Sequence, residues 1–308
     1  MTQVLVLNPP DSPLAELLRE ADLPGGELSF AAPGAASREA LESAVVVLGA
    51  PEAAAAVVPD CPRLQWVQST WAGIGPLLQT PRRDYQLTAL KGVFGQLMSE
   101  YVLGWVLALE RQIIQRAMER EWNPALGRSV AGRRMGIMGT GSIGVHVAET
   151  ARALGIVVVG LNSDGRATEP FEQCFPSSER LQFAQGLDYL VSVLPETPQT
   201  DNLVDAALLS KLNAEAVFIN GGRGNCVVES DLLSALEQGI LRAAALDVMR
   251  VEPLPASSEL WRVPNLFITS HTAAPTSQAA AVDVFCDNFR RFVAGKPLLH
   301  LVDFARGY

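Results

Sequence analysis

Short apolar runs alternate with helix-length segments in the N-terminal third of the chain. This alternation predicts parallel strands covered by helices, which is the pattern of an α/β domain. The four runs are VLVL at 4–7, AVVVLG at 44–49, LQWVQS at 64–69 and YQLTAL at 85–90.

The pattern changes at Gln96, where a long helical stretch begins and continues to Arg120, with apolar residues on one face. We interpret it as a connector. The next segment, EWNPALGRSVAGRRM, contains Pro124 and glycines and is predicted to be a loop.

Beyond this loop the alternation of strands and helices starts again. Six apolar runs separated by helix-length segments predict a doubly wound, nucleotide-binding domain. A last helical stretch, SQAAAVDVFCDNFRRFVAG, follows Pro275 and need not belong to that domain. The six runs are MGIMG, IVVVGL at 156–161, DYLVSVLP at 188–195, AVFINGG at 216–222, AAALDV at 243–248 and LFITSH at 266–271.

Length and composition agree with two folded domains. The chain has 308 residues, of which 48% are hydrophobic and 19% charged, and this excludes global disorder. The formal net charge of −9 makes nucleic acid a poor partner, because phosphates would be repelled. The four cysteines lie far apart with no metal-ligand spacing, so we expect neither a metal site nor a disulfide framework.

No segment predicts a membrane span or a secretory signal. The longest strongly apolar stretch, Val102 to Leu109, stops at Glu110 and is much shorter than the ~18 residues that a span requires. The N-terminus has no Lys or Arg before its apolar run and meets prolines and Asp11 at once. We therefore expect a cytoplasmic protein.

A glycine-rich turn follows the first strand of the second domain. It has the form G-x-G-x-x-G, directly after Met135–Met138 and directly before a helical pattern. In this context the glycines permit a tight turn, close approach of a diphosphate and close packing of helix on strand. The predicted cofactor-binding residues of the turn are Gly139, Thr140, Gly141, Ser142, Ile143 and Gly144.

The turn after the next strand bears on which dinucleotide is bound. A domain that prefers NAD places a carboxylate at the end of this strand to hold the ribose 2′-hydroxyl, whereas here the strand ends in Asn162. The predicted cofactor-binding residues of this turn are Asn162, Ser163 and Arg166: Asn162 is neutral, Ser163 can donate a hydrogen bond and Arg166 can neutralise a phosphate. We therefore predict NADP(H) as the preferred cofactor, with NAD(H) kept as the alternative because Asp164 lies in the same turn.

Polar residues at the ends of the later strands are candidates for chemistry, because ligands bind at the carboxyl edge of a parallel sheet. Arg223 follows AVFIN, Glu252 follows AAALDV and His271 follows LFIT. His271 is one of three histidines, and a neighbouring carboxylate would favour its imidazolium form. Packing or exposure explains His146 and His300.

The chain carries a set of motifs in a fixed order, and this set resembles the D-isomer-specific 2-hydroxyacid dehydrogenases. The resemblance runs from about Trp66 to Phe292 and is closest to the glyoxylate/hydroxypyruvate reductase branch. The motifs are GQLMSEYVLG, IMGTGSIG, VLPETPQT, INGGRGNCV, ALDVMRVEPLP and LWRVPNLFITSHTAA.

The resemblance implies two Rossmann-like, doubly wound domains. Residues 1–98 and 279–308 would form a flavodoxin-like substrate domain, and residues 99–278 the dinucleotide-binding domain. Two positions depart from the family pattern: Ser270 stands where a proline precedes the catalytic histidine, and Asn162 replaces the acidic ribose ligand.

The resemblance also assigns roles to residues. It matches Arg223, Glu252 and His271 to the family's catalytic residues. The remaining matches are Ala72, Gly73 and Ile74 for binding the substrate carboxylate through backbone N–H groups, Leu194, Pro195 and Thr200 for the stretch under the cofactor, and Asp247 for a position near the nicotinamide ring.

The expected reaction is reduction of a small 2-oxo acid, glyoxylate or hydroxypyruvate in kind, to the D-2-hydroxy acid by hydride transfer from a nicotinamide cofactor. Arg223 would bind the substrate carboxylate and polarise the ketone, and His271 would protonate the developing alkoxide. One alternative is a larger substrate such as phenylpyruvate, since Trp71 and Trp261 could line a pocket.

A second alternative is a nucleotide-sensing interaction protein of the co-repressor type, which would keep the glycine turn and tolerate loss of the acid–base pair. The three catalytic matches favour an enzyme. By resemblance we also expect a homodimer, with the long helix from Gln96 either at its interface or packed on its own domain.

Overall fold

The computed structural model describes residues 1–308 and divides them into two compact units. The first unit is Met1–Val93 with Thr276–Tyr308, and the second unit is Phe94–Pro275. These boundaries lie a few residues before the expected ones at 98/99 and 278/279, because the two helices that follow them begin at Gly95 and Gln278. Each helix therefore stays whole within one unit.

The first unit is built on a five-stranded parallel sheet of order β2-β1-β3-β4-β5. Helices cover both of its faces. The strands are β1 (Thr2–Leu7), β2 (Gly26–Phe30), β3 (Val46–Gly49), β4 (Trp66–Ser69) and β5 (Gln86–Thr88); the helices are α1 (Pro13–Glu20), α2 (Arg38–Ser43), α3 (Pro51–Val57), α4 (Gly75–Gln79) and, from the end of the chain, α11 (Gln278–Val293).

The central strand β1 shows why its sequence is apolar throughout. Val4 and Val6 pack into the cluster on one face, while Leu5 and Leu7 pack into the cluster on the other face. Because successive side chains of a strand point to opposite faces, a strand covered on both sides must be apolar at every position. The helix α11 covers one of these faces.

The second unit holds a seven-stranded parallel sheet of order β12-β11-β10-β9-β6-β7-β8. The direction of strand addition reverses between β6 and β9, which is where such sheets bind ligands. With two parallel sheets and interleaved helices, the predicted α/β class is confirmed. The strands are β6 (Arg134–Met138), β7 (Val157–Asn162), β8 (Cys174–Pro176), β9 (Tyr189–Ser192), β10 (Ala216–Asn220), β11 (Leu241–Leu246) and β12 (Leu266–Ile268).

The second unit's helices are α5 (Gly95–Glu110), α6 (Ile113–Met118), α7 (Ser142–Ala153), α8 (Arg180–Phe183), α9 (Ala206–Leu209) and α10 (Glu229–Glu237). The apolar face of α5 packs against its own unit through Met98, Val102 and Val106. None of the chain's helices has the length and apolarity that crossing a bilayer would need.

The single long helix expected from Gln96 to Arg120 is broken in two. Gln112 adopts the left-handed conformation with φ +53° and separates α5 from α6. At the end of α5 the buried carboxylate of Glu110 accepts hydrogen bonds from Arg128, at 3.0 Å, and from Arg242. These cations also lie at the negative end of the helix dipole, where positive charge is stabilising. The segment from 121 to 133 forms no helix or strand, as the loop prediction requires.

Two strands were missed in the sequence, and both lie at sheet edges. β2 is only partly buried along its length, and β8 has three residues. An edge strand has one neighbour and needs no long apolar run, so its sequence signal is weak.

Candidate active site

The loops at the carboxyl edge of the second unit's sheet bring the predicted groups to one side of that unit. All seven strands are parallel, so their carboxyl ends lie at the same edge. The glycine turn follows β6, the loop of Leu194 follows β9, and the loops of Arg223, Glu252 and His271 follow β10, β11 and β12.

The glycine turn is built as close packing requires. Gly139 has φ +104°, which favours glycine, and its N–H donates to the carbonyl of Leu161 at 2.9 Å. A Cβ at Gly144 would lie 1.9 Å from the carbonyl oxygen of Gly139, so only glycine lets α7 pack on the turn. Turn and helix are therefore fixed against each other.

The start of α7 fits an anionic group. Gly141 caps this twelve-residue helix without any side-chain hydrogen bond, and both Gly141 and Ser142 are exposed. A Cβ at Gly141 would have no atom within 4 Å. Free N–H groups at a helix start, with open space beside them, match the needs of a dinucleotide diphosphate.

Asn162 serves a different purpose from the one its position suggested. Its side chain is buried and donates to Thr140 Oγ1 at 3.1 Å and to the carbonyl of Arg166 at 2.9 Å. Its carbonyl oxygen accepts from the N–H of Gly165 at 2.7 Å. The amide is therefore occupied in holding the glycine turn and the following turn together, and it is not free to bind a ribose.

Ser163, Asp164 and Arg166 are all exposed in that turn. Arg166 forms an ion pair with Asp164 at 3.0 Å, and both side chains are more than half exposed. Slight burial raises the pKa of Asp164, but hydrogen bonds and the charge of Arg166 outweigh it, so this pKa lies below its ordinary value. An incoming phosphate would thus compete with Asp164 for Arg166.

The stretch after β9 closes on itself. Thr200 Oγ1 donates to the carbonyl of Pro195 at 2.7 Å and accepts from the N–H of Thr197 at 3.0 Å. Leu194 is buried, and a Cβ at Gly222 would lie 2.6 Å from its backbone nitrogen. The loop of Leu194 and the loop of Arg223 are consequently in backbone contact.

Arg223 is held by its own backbone surroundings. Its carbonyl accepts from Asn220 Nδ2 at 3.0 Å and from the thiol of Cys226 at 3.2 Å. Asn220 also accepts from the N–H of Gly222 at 3.1 Å. Sequence reasoning missed Asn220, although a polar residue at the very end of β10 was a visible signal.

The guanidinium of Arg223 lies in an acidic surrounding. Burial lowers its pKa below the ordinary value, while the charges of Glu196 and Glu252 oppose that shift. Because the ordinary pKa of a guanidinium lies far above neutral pH, the group remains a cation. A partly buried cation of this kind is suited to bind a carboxylate.

His271 and Glu252 form a direct pair. Nδ1 of His271 lies 2.8 Å from Oε2 of Glu252, and the imidazole is 49% exposed. The other carboxylate oxygen of Glu252 accepts from the N–H of Met249 at 2.9 Å. With Glu252 ionised, Nδ1–H must be the donor, so the tautomer is fixed and Nε2 is left for a ligand.

The turn that carries His271 is clamped by Asp247. The carboxylate of Asp247 is 2% exposed and accepts from Thr269 Oγ1 at 2.6 Å and from the N–H groups of Thr272 and Ala273 at 2.8 and 3.0 Å. Its carbonyl accepts from the N–H of His271 at 2.8 Å. All of these hydrogen bonds hold the turn that carries His271.

His271 needs that clamp because its backbone has φ +55°, a left-handed conformation that is unfavourable for residues other than glycine. Thr269 adds a further anchor, since its hydroxyl lies 2.9 Å from the hydroxyl of Tyr101 on α5. Thr269 lies two residues before His271 and gave no separate signal in the sequence.

Arg250 links three of the loops. Its guanidinium donates to Asp201 Oδ1 at 3.1 Å, to Asn202 Oδ1 at 2.5 Å and to the carbonyls of Asn225 and Val227 at 2.6 and 3.0 Å. It therefore joins the loop of Glu252, on which it lies, to the stretch after β9 and to the loop of Arg223. Sequence reasoning had no means to single out this arginine.

In the first unit, the predicted carboxylate-binding loop follows β4. The backbone N–H groups of Ala72, Gly73 and Ile74 donate no hydrogen bond within the protein. Ser69 Oγ accepts from the N–H of Trp71 at 3.0 Å and donates to its carbonyl at 2.9 Å, which fixes the start of the loop. Three free donors in sequence can bind an anion.

Of the other two histidines, His146 has a hydrogen-bonding neighbour and His300 lies near charged groups of the first unit. His146 Nδ1 lies 2.8 Å from Ser99 Oγ. Burial lowers the pKa of His300, the charge of Lys91 lowers it further, and Asp287 opposes both effects.

Comparison with known proteins gives consistent relatives. The family model described as D-isomer specific 2-hydroxyacid dehydrogenase, NAD binding domain, matches residues 103–273. A glyoxylate/hydroxypyruvate reductase A of Serratia proteamaculans is 34% identical over 260 residues, which is 80% of this chain and 82% of the relative.

Two solved structures cover nearly the whole chain. A D-isomer specific 2-hydroxyacid dehydrogenase family protein of Aeromonas salmonicida is 37% identical with a TM-score of 0.89, covering 98% of this chain and 99% of that one. An NADPH-dependent glyoxylate/hydroxypyruvate reductase of Sinorhizobium meliloti, solved with NADP and sulfate, is 31% identical with a TM-score of 0.87 and covers 100% of both chains.

Proposed function

The chain belongs to the D-isomer specific 2-hydroxyacid dehydrogenase family, and from this membership we propose that it reduces a small 2-oxo acid to the D-2-hydroxy acid with NADPH as the reductant. The substrate is of the glyoxylate or hydroxypyruvate kind. The observation that carries the proposal is the 2.8 Å pair of His271 and Glu252 at the same sheet edge as Arg223 and the glycine turn.

The roles follow from the contacts of each residue. When bound, the nicotinamide cofactor supplies the hydride that reduces C2 of the substrate. Arg223 binds the carboxylate and polarises the ketone by charge-assisted hydrogen bonds. His271, as imidazolium, gives the proton on Nε2 to the oxygen that was the ketone. Glu252 accepts the hydrogen bond from Nδ1–H and stabilises the positive charge of the ring.

Other residues bind or position. The N–H groups of Ala72, Gly73 and Ile74 bind the substrate carboxylate. Asp247, which is expected near the nicotinamide ring, also acts as a positioning residue because its carboxylate holds the turn of His271. The cofactor lies along the glycine turn of Gly139–Gly144 and over the stretch of Leu194, Pro195 and Thr200.

NADPH is the proposed reductant because of the turn after β7. No carboxylate closes this strand, and Asn162 is occupied within the protein. The exposed Arg166 and Ser163 are suited to a 2′-phosphate. The Sinorhizobium meliloti relative, described as NADPH-dependent, supports this choice.

The test is steady-state oxidation of NADPH and of NADH with glyoxylate, hydroxypyruvate and phenylpyruvate. We expect the highest kcat/KM with NADPH and one of the two smaller acids. A preference for phenylpyruvate would move the substrate to the larger class. If the protein binds NADPH but reduces none of these acids, the enzyme hypothesis is wrong and the nucleotide-sensing interaction protein becomes the favoured function.

We also propose a homodimer, and the support comes from apolar exposure. Trp122 and Leu126 are 95% and 91% exposed, and Met118 is 70% exposed. Large exposed apolar groups close together in sequence are typical of interfaces. Sedimentation of wild type and of Trp122→Ser tests this: we expect a dimer that weakens in the variant, and a monomeric wild type would contradict it.

A further inference from the structure

Lys91 is unusual among the lysines of this chain. The protein has three, and Lys211 and Lys296 are exposed, whereas Lys91 is half-buried. Lysine carries a strongly hydrated charge, so partial burial needs a reason.

The ammonium of Lys91 has no partner inside the protein. It forms no ion pair or hydrogen bond, and its pKa lies below the ordinary value because of burial alone, with no carboxylate opposing the shift. The nitrogen nevertheless keeps access to solvent, because it is not among the side-chain nitrogen and oxygen atoms that are fully buried without a hydrogen-bond partner. An unpaired cation that is partly desolvated yet reachable is in a state that an anionic ligand would stabilise.

Lys91 lies next to the carboxylate-binding loop of the same unit. It follows β5, and the N–H of the preceding residue, Leu90, donates to the carbonyl of Trp71 at 3.1 Å. This hydrogen bond joins the end of β5 to the start of the loop whose N–H groups, at Ala72, Gly73 and Ile74, are free.

The neighbouring groups add no negative charge that would satisfy Lys91. His300 lies close enough to feel its charge, and the effect lowers the pKa of that imidazole. The carboxylate that acts on His300 is Asp287, which has its own partner in Arg291 at 3.5 Å.

We propose that Lys91 is a substrate-binding residue whose ammonium, together with the free N–H groups of residues 72–74, binds the carboxylate of the 2-oxo acid. This rests on the proposed function. Lys91 would thus supply the formal charge in a site whose other donors in this unit are neutral amides.

The test compares Lys91→Met, Lys91→Arg and the matched control Lys296→Met. A charge-assisted hydrogen bond that is lost on binding corresponds to roughly a 10- to 100-fold weaker ligand. For Lys91→Met we expect KM for glyoxylate to rise by at least about tenfold, with kcat reduced less and KM for NADPH unchanged. Lys91→Arg should retain most of the affinity because it keeps the charge, and Lys296→Met should match wild type.

A direct binding measurement separates this inference from the proposed function. The measurement is calorimetric titration with oxamate, a non-reacting carboxylate, in the presence of NADPH. Wild type and Lys91→Arg should bind oxamate, and the affinity of Lys91→Met for oxamate should be at least about tenfold weaker. Equal oxamate affinity in wild type and Lys91→Met, or a KM for glyoxylate that does not change, would overturn the assignment. If wild type binds oxamate yet reduces no 2-oxo acid, the proposed function is wrong. The titration of Lys91→Met then still decides whether Lys91 binds the anion.

Discussion

Replacing Asp247 by Asn tests whether this carboxylate positions the catalytic histidine. The substitution keeps the size of the side chain and removes one of its acceptors. In the structure, Oδ1 accepts from Thr269 and Thr272 and Oδ2 accepts from Ala273. An amide can preserve the two bonds to Oδ1 only by turning its NH₂ group toward the N–H of Ala273.

The expected cost follows from that arrangement. A buried donor left without an acceptor costs about 1–3 kcal/mol. The turn also holds His271 at φ +55°, and this conformation costs a non-glycine residue about 1–2 kcal/mol that the weakened clamp must still offset. Because 1.36 kcal/mol corresponds to tenfold in rate, a loss of about 2–3 kcal/mol in holding the imidazole lowers kcat by roughly 10²-fold.

The assay is steady-state reduction of glyoxylate by NADPH, with NADPH affinity measured by fluorescence titration. Asp205→Asn is the matched control, since Asp205 is paired with Arg180 and caps α9 in the same unit away from His271. We expect Asp247→Asn to lose turnover with unchanged NADPH affinity, and Asp205→Asn to keep both. If Asp247→Asn instead weakened NADPH binding tenfold and left kcat intact, the carboxylate would contact the cofactor and the positioning argument would be refuted.

Three further tests address other parts of the site. His271→Ala should lower kcat by about 10²-fold or more with NADPH affinity nearly intact; unchanged turnover would remove His271 from the mechanism. Arg166→Gln should weaken NADPH binding by roughly 10-fold with little effect on NADH, and Asp164→Asn should strengthen NADPH binding by freeing Arg166; equal effects on both cofactors in titration would contradict this. Arg250→Gln should lower kcat/KM for the 2-oxo acid by about tenfold, whereas Arg180→Gln, which also loses paired hydrogen bonds, should lower only the melting temperature; identical kinetics in the two variants would show that Arg250 does not position the loops.

The sequence predicted those features that depend on local pattern. The α/β class and the family are confirmed, since strand runs, their order and the motifs are all readable along the chain. The polar residues Arg223, Glu252 and His271 could be grouped because parallel strands end at one edge, and their roles stay predictions.

Features set by distant partners escaped the sequence. Asn162 at a strand end looked like a ligand, yet its amide is used by Thr140 and Arg166. The long helix breaks at Gln112, and Glu110 at the end of α5 pairs with Arg128 and Arg242, which come from later segments. Hydrogen-bond partners that come from other elements leave no periodic trace, so only the fold reveals them.

The placement of α11 has a consequence for how the protein is made. Trp66 stacks on Phe285 of that helix with ring centroids 5.4 Å apart, so one face of the first sheet is closed by residues near the end of the chain. During synthesis on the ribosome, the second unit is therefore complete before the first, which keeps an uncovered aromatic face until the final residues emerge. A nascent chain stalled before residue 276 would offer that face to chaperones, and release of the last helix would bury it.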